Sequence, residues 1–160
     1  MLFLAVLGSC AHHESVDADT MPASEFAPVD VVEAEGVIIP AGRVKDTFFA
    51  PRFTEVWTPT LEDIIRLEAG LRQGLVDANA RPVIYEHLAN YRRQYLGCVV
   101  DGRRRVFVNA FIDAGSDGID WHPSWARHAV FVLDGGHSYW RIQYDLDSGQ
   151  YVDFEQNGCA

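Results

Sequence analysis

Two β-prone runs joined by Asp101-Gly102 constrain this chain more than anything else in it. Leu96 to Val100 and Arg103 to Phe111 flank that dipeptide, and Asp-Gly supplies the positive φ values of a tight type I′ turn. The spacing predicts an antiparallel hairpin. His128 to Leu133 and Tyr139 to Tyr144 flank Asp134-Gly135-Gly136-His137 and predict a second. With Gly135-Gly136 as its turn, Phe131 would face Trp140 and Ala129 would face Ile142, with Val132 opposite Tyr139 on the other side. Such cross-strand pairs stabilise a sheet by roughly 0.2–1 kcal/mol each. Asp145 to Gly149 is a third turn, leading into Tyr151 to Gln156, and Asp113 to Trp125 reads as a longer polar loop.

Helical signals precede these strands. Thr60 is placed to cap a helix, with Asp63 as its capping-box partner and Pro59 suited to a first turn. Leu61, Ile64, Leu67 (or Glu68), Leu71 and Leu75 then recur at spacings of three and four, one helical face. Gly70 and Gly74 weaken the far end. Pro82 opens a second expected helix, with Ile84, Leu88, Tyr91 and Tyr95 as its apolar stripe and Glu86, Arg92 and Arg93 facing water. Val37-Ile38-Ile39 is a short β-prone run, and Phe48 to Trp57 is aromatic and irregular. The expected fold is α+β, two N-terminal helices packed on a roughly five-stranded antiparallel meander. In topology it resembles cystatin-like or similar helix-on-sheet rolls.

The N-terminus carries a different kind of information. Met1 to Leu7 is apolar and runs into Gly8-Ser9-Cys10, small residues before a cysteine. This is the form of a bacterial lipoprotein signal, although nothing basic precedes the apolar run as a secretory signal ordinarily requires. Lipidation is therefore assigned to Cys10. Residues 1–42 hold seven acids and no Lys or Arg, leaving sixteen acids against thirteen bases in the rest, so most of the net charge of −10 lies at this end. Such a tract, mixed with Pro, Ala and Ser, does not bury enough apolar surface to order itself. The expected organisation is a signal at residues 1–9, a flexible acidic tether at 10–35 and one α+β domain at 36–160. The tether would hold the domain roughly 25–30 Å from the membrane. The acidic balance argues against nucleic acid as a partner.

From Tyr91 onward the chain carries Tyr91-Arg92-Arg93-Gln94-Tyr95-Leu96-Gly97, then Val108-Asn109 with Phe111, then Val132-Leu133-Asp134-Gly135-Gly136, Tyr139-Trp140 and Asn157-Gly158. In order, spacing and residue type this resembles a family of uncharacterised bacterial proteins, often lipoproteins. The resemblance covers nearly half the chain and implies a small helix-plus-sheet domain without implying an activity. Many members of that family carry Cys after the Phe of the second strand and again after Asp-Gly-Gly-x. Here those positions are Ile112 and Ser138, so that cross-link would be absent.

Few residues invite a chemical role. Cys98 and Cys159 form a candidate disulfide across about 60 residues, in the entropy model about 2–4 kcal/mol of stabilisation; the alternative is two free thiols. His122, His128 and His137 match no metal-ligand spacing and read as loop or surface histidines, and His12-His13 lies in the tether. Asp145-x-Asp147-x-Gly149 opens like a calcium loop but has Gln150 and Gln156 where Gly and Glu are required, so a β-turn is the better reading. Ala114-Gly-Ser116-Asp-Gly118 lacks the first glycine of a nucleophile elbow. Asn109 stands mid-strand, where Asn is disfavoured, placed to bond across the sheet or to the Arg92-Arg93-Gln94 segment. The Asp134 carboxylate is placed to cap a tight turn. Asn109 and Asp134, with His128 and His137, make a tentative polar site. No catalytic residue, cofactor or metal is assigned. The reading favoured is a lipid-anchored cell-envelope domain, non-enzymatic, binding the membrane through its lipid and an envelope protein through its surface. The alternative is a small periplasmic enzyme or ligand carrier with a pocket between helices and sheet.

Overall fold

A mixed, seven-stranded sheet forms the centre of the molecule, in a computed structural model that describes residues 27–31, 34–112 and 118–159. Its strands are β1 (Ala27–Val31), β2 (Ala34–Ile39), β3 (Glu55–Trp57), β4 (Arg92–Val100), β5 (Arg103–Phe111), β6 (Tyr139–Asp145) and β7 (Tyr151–Gln156). The order is β1-β2-β4-β5-β6-β7. β2 runs parallel to β4 along Arg93–Leu96, and β3 pairs antiparallel with β4 at Gly97–Val99. β4 to β7 are antiparallel neighbours in sequence order. The fold is α+β.

One long helix, α2 (Leu61–Asp77), accompanies the sheet, with single-turn helices α1 (Ala41–Val44) and α3 (Pro82–Tyr85). α2 begins where its sequence says it should. The Thr60 hydroxyl accepts from Asp63 N–H, and the Asp63 carboxylate accepts from Thr60 N–H at 2.9 Å, a complete capping box. Ile64, Leu67, Leu71 and Leu75 are buried against Tyr95, Val106, Val108, Ala110, Trp140, Ile142 and Tyr144. Leu61, expected on that stripe, is 54% exposed. Gly70 and Gly74 have a packing reason. Tyr151 of β7 lies on both, its hydroxyl donates to Leu67 O, and a Cβ at Gly74 would overlap its ring.

The second expected helix does not form beyond Pro82–Tyr85. A 3₁₀ turn at Leu88–Asn90 follows, and β4 starts at Arg92. The cause is an ambiguity of period: a spacing of four, as from Tyr91 to Tyr95, puts two residues on one face of a helix and on one face of a strand alike. As a strand, Tyr91, Arg93 and Tyr95 point toward α2 while Gln94, Leu96 and Cys98 point away. Arg93 is consequently 2% exposed rather than in water.

The Asp101-Gly102 hairpin is present in the expected register, Val100 opposite Arg103. The second hairpin is not. His128 to Leu133 is no strand, because β5 and β7 occupy both hydrogen-bonding edges of β6. Phe131 packs on Phe48 and Phe49, and Trp140 packs on Tyr91, so the expected Phe131–Trp140 pair is absent. The five-stranded meander thus reduces to four antiparallel strands, extended on the β4 side by β2 and β1. The folded part also begins earlier than expected: Ala27–Val31 pairs with Ala34–Ile39, inside the stretch assigned to the tether. The signal, Cys10, His12-His13, tether residues 11–26 and the Asp113–Asp117 part of the long loop lie outside the described residues.

The two faces of the sheet are covered differently. α2 covers one. On the other, Val37, Ile39, Leu96, Cys98 and Phe107 pack against Val44, Phe49, Phe53, Trp125, Ala129 and Phe131 from segments without regular structure or with one short turn.

Candidate functional site

The second face carries a row of polar side chains in register. Gln94 of β4 stands opposite Asn109 of β5, Asn109 opposite Arg141 of β6, and Arg141 opposite Glu155 of β7. The first three are buried. Polar groups so placed need partners, and all but Arg141 Nε, which is buried without one, find them in the loop that crosses above or in Asn157. Gln94 Nε2 donates to Trp125 O (2.5 Å) and His128 O (2.7 Å), while its Oε1 accepts from Val130 N–H (2.8 Å) and from Asn109 Nδ2 (2.9 Å). Asn109 Nδ2 also donates to Val130 O at 2.7 Å. Arg141 Nη2 donates to Val132 O, and its Nη1 donates to Asn157 Oδ1. Asn157 Nδ2 closes the set by donating to Val132 O and Asp134 O, each at 2.7 Å.

Four side chains therefore do for residues 125–134 what a neighbouring strand does elsewhere: they satisfy backbone groups that would otherwise be buried without partners. The loop ends at Gly135 (φ +90°) and Gly136 (φ +59°), conformations that favour glycine. A Cβ at Gly135 would come within 2.6 Å of the Tyr139 ring, and Gly136 N–H donates to Gly158 O. The Arg141 guanidinium lies 5.4 Å from the Phe49 ring and 5.7 Å from the Phe131 ring. Burial lowers its pKa from the ordinary value, opposed by the charge of Glu155.

The tentative polar site is only partly assembled. Asn109 is in the clamp. His128 contributes its carbonyl to the clamp, and its side chain is exposed. His137 accepts from Tyr91 OH through its carbonyl. The Asp134 carboxylate caps no N–H of the turn, and only its carbonyl is engaged by Asn157. Cys98 and Cys159 are free thiols, the first buried and the second exposed, so the candidate disulfide is not formed. Burial pushes the Cys98 thiol up to about 12. Asp145 Oδ1 accepts from Asp147 and Ser148 N–H, a side-chain turn. No cluster of His, Cys, Asp and Glu among the described residues could hold a metal ion. Sequence reasoning missed Arg141. Its signal was an arginine between Trp140 and Ile142, where a period of two turns it to the opposite face.

The α2 face holds a buried charge cluster. Glu68 accepts from Arg93 Nη1 (2.6 Å) and Tyr95 OH (2.8 Å), and Arg93 Nη2 donates to Leu88 O. Burial raises the pKa of Glu68, while Arg93 and Tyr95 pull it back. The cluster joins α2 to β4 away from solvent.

Hollows open on the surface formed by the described residues. One, of about 430 Å³, lies between α2 and the β6–β7 turn, lined by Gly70, Gln73, Gly74, Asp77, Gln150 and Tyr151. None of the tentative site residues lines it. Another, of about 220 Å³, lies beside the clamped loop and includes His128. Leu61, Ile65 and Val76 are exposed on α2, Phe48 (65%) stacks on Phe131, and Ile119 (57%), Trp121 (53%) and Leu133 (79%) are exposed along the crossing segment. His122 anchors this stretch, its Nε2 3.1 Å from Tyr139 OH and its ring edge-on to Phe111. Burial lowers its pKa. No described helix is long and apolar enough to cross a membrane. Comparisons with protein-family models, with curated proteins and with solved structures return no match.

Proposed function

We propose that this chain is a lipid-anchored domain of the bacterial cell envelope, held at the membrane through Cys10, whose clamped loop face binds a protein partner without catalysing a reaction. The observation that carries the binding reading is the use of the buried polar groups. Gln94, Asn109, Arg141 and Asn157 hold backbone carbonyls in place, so they shape a surface rather than await a substrate. Trp121, Leu133 and Phe48 on that side are large apolar side chains left exposed, the kind of residue that a protein partner covers.

The proposed kinship with uncharacterised bacterial lipoproteins fits the same picture. Gln94, Asn109, the Asp134-Gly135-Gly136 turn and Asn157-Gly158, which carry that resemblance, all hold the loop. The likeness to cystatin-like rolls is proposed only for the arrangement of one long helix followed by four antiparallel strands.

Two measurements test the reading. Intact-mass spectrometry of the protein from its native membranes should find a chain beginning at Cys10 with acyl mass added. An unprocessed chain in the soluble fraction would refute the anchor. Crosslinking in intact envelopes should give a discrete adduct that Trp121→Ala with Leu133→Ser abolishes. An adduct unaffected by that pair would refute the loop face as the binding face.

A further inference from the structure

The hollow beside the clamped loop sets two arginines against an apolar wall. Ile39, Phe48, Ala129 and Phe131 form its apolar wall, and Arg43, Arg127 and His128 line it with Asp46 and Thr47. Among the described residues, every arginine except Arg43, Arg81 and Arg127 has an ion pair, a side-chain hydrogen bond or an aromatic ring against it. Two of those three line this hollow, in a chain where acids outnumber bases by 23 to 13. Phe48 adds a ring stacked on Phe131 at 3.7 Å between centroids, yet still 65% exposed.

We infer that this hollow binds a carboxylate joined to an aromatic ring, the carboxylate between Arg43 and Arg127 and the ring against Phe48. A guanidinium matches a carboxylate through paired N–H donors, and aromatic rings gain from offset or edge contact beyond the area they bury. Asp46 at the same rim works against a second negative charge, which selects a monoanion over a phosphate. A volume of about 220 Å³ lies below the roughly 300–1,000 Å³ of sites for larger ligands, so one ring and one carboxylate fill it. This inference rests on the reading of the loop face as the binding face and names the chemistry it recognises. That chemistry has two sources, a free aromatic acid or the C-terminal residue of a peptide ending in phenylalanine.

The test is titration of the full chain, followed by the amide NMR signals of Arg127 to Phe131. The probes are phenylacetate, the peptide acetyl-Ala-Ala-Phe with a free carboxylate, phenylacetamide and acetate. Saturable shifts with phenylacetate or the peptide, weaker with phenylacetamide and acetate, are expected, and the tighter of the first two identifies the source. Arg43→Gln with Arg127→Gln should weaken binding at least about tenfold, since each lost charge-assisted bond counts for that much. Arg81→Gln, which removes one positive charge at a site outside the hollow, should leave binding unaltered, whereas Arg43→Gln alone should weaken it. Because Arg43 and Arg127 have no side-chain partners among the described residues, the double variant retains the fold, checked by its unchanged NMR signals in α2. No saturable shift with either acid, an equal response to phenylacetamide, or an unaltered double variant overturns the inference. An unmodified Cys10 or a missing envelope adduct would not bear on this result, so the two readings fail separately.

Discussion

The two faces of the sheet are buried by different physics. On the helix face, α2 lays Ile64, Leu67, Leu71 and Leu75 on Val106, Val108 and Ile142, and non-directional apolar contact does most of the holding. On the loop face, apolar packing is interrupted by Gln94, Asn109 and Arg141, whose bonds to residues 125–132 have fixed donors and acceptors. Apolar contact tolerates small shifts, whereas directional bonds fix a backbone path. A helix satisfies its own N–H and C=O groups and can be covered by side chains alone. A loop does not, so burying one calls for polar side chains beneath it. The polar row is the cost of having an irregular, shaped surface on one side of the sheet.

The contrast is sharpest where the helix face breaks its own pattern. Glu68→Ala leaves the Arg93 guanidinium buried without its carboxylate, and removing one partner of a buried pair costs about 3–5 kcal/mol. Urea unfolding at neutral pH should report that loss. A change below about 1 kcal/mol would mean that water reaches Arg93. Next comes the loop face itself. Asn109→Ala strands Val130 O, at about 1–3 kcal/mol for a buried group left unsatisfied, and releases the loop while α2 keeps its packing. If circular dichroism shows α2 melting with the loop at the same denaturant concentration as in the parent chain, the clamp has no energetic role.

Gly74→Ala probes helix packing without touching polarity. The new Cβ meets the Tyr151 ring, and displacing a packed aromatic costs about 1–3 kcal/mol. A thermal midpoint equal to the parent's would show that Tyr151 swings away freely. The smallest effect belongs to the exposed rim: Trp121→Ala should change stability by no more than about 0.5 kcal/mol while still impairing partner crosslinking.

The pH dependence separates a third element, the β6–β7 turn. Burial acts to raise the Asp145 pKa, but bonds from Ser148 and Asp147 and the charge of Arg103 hold it below the ordinary 3.8. A carboxylate with a depressed folded pKa stabilises above the unfolded value and loses that contribution as pH falls through the folded one. Acid unfolding should therefore begin below about pH 4, and Asp145→Asn should flatten that part of the curve while lowering stability at neutral pH. An unaltered acid limb would assign acid unfolding to other carboxylates.

Local signals explain which parts were legible in sequence. α2 was legible because its cap and its apolar spacing lie within its own residues. The Asp101-Gly102 hairpin was legible because one dipeptide fixes both turn and register. The start of β4 was not, since Tyr91 and Tyr95 fit either period. His128 to Leu133 was misread for a non-local reason: it is β-prone, but no free edge of β6 remained for it. Asn109 stood out as an amide within a strand. The partnership of Gln94, Arg141 and Asn157 was hidden because it depends on strand register and on a loop distant in sequence.

Three side-chain amides and one guanidinium hold residues 125–134 as a neighbouring strand would, and the Val130 amide reports on that hold. Its N–H donates to Gln94 Oε1 at 2.8 Å. Native-state hydrogen exchange should find it protected to the level of the β4 and β5 amides, with that protection lost in Gln94→Ala while α2 amides stay protected. A Val130 amide that exchanges at the rate of an unstructured peptide in the parent chain would mean that the polar row does not hold the loop.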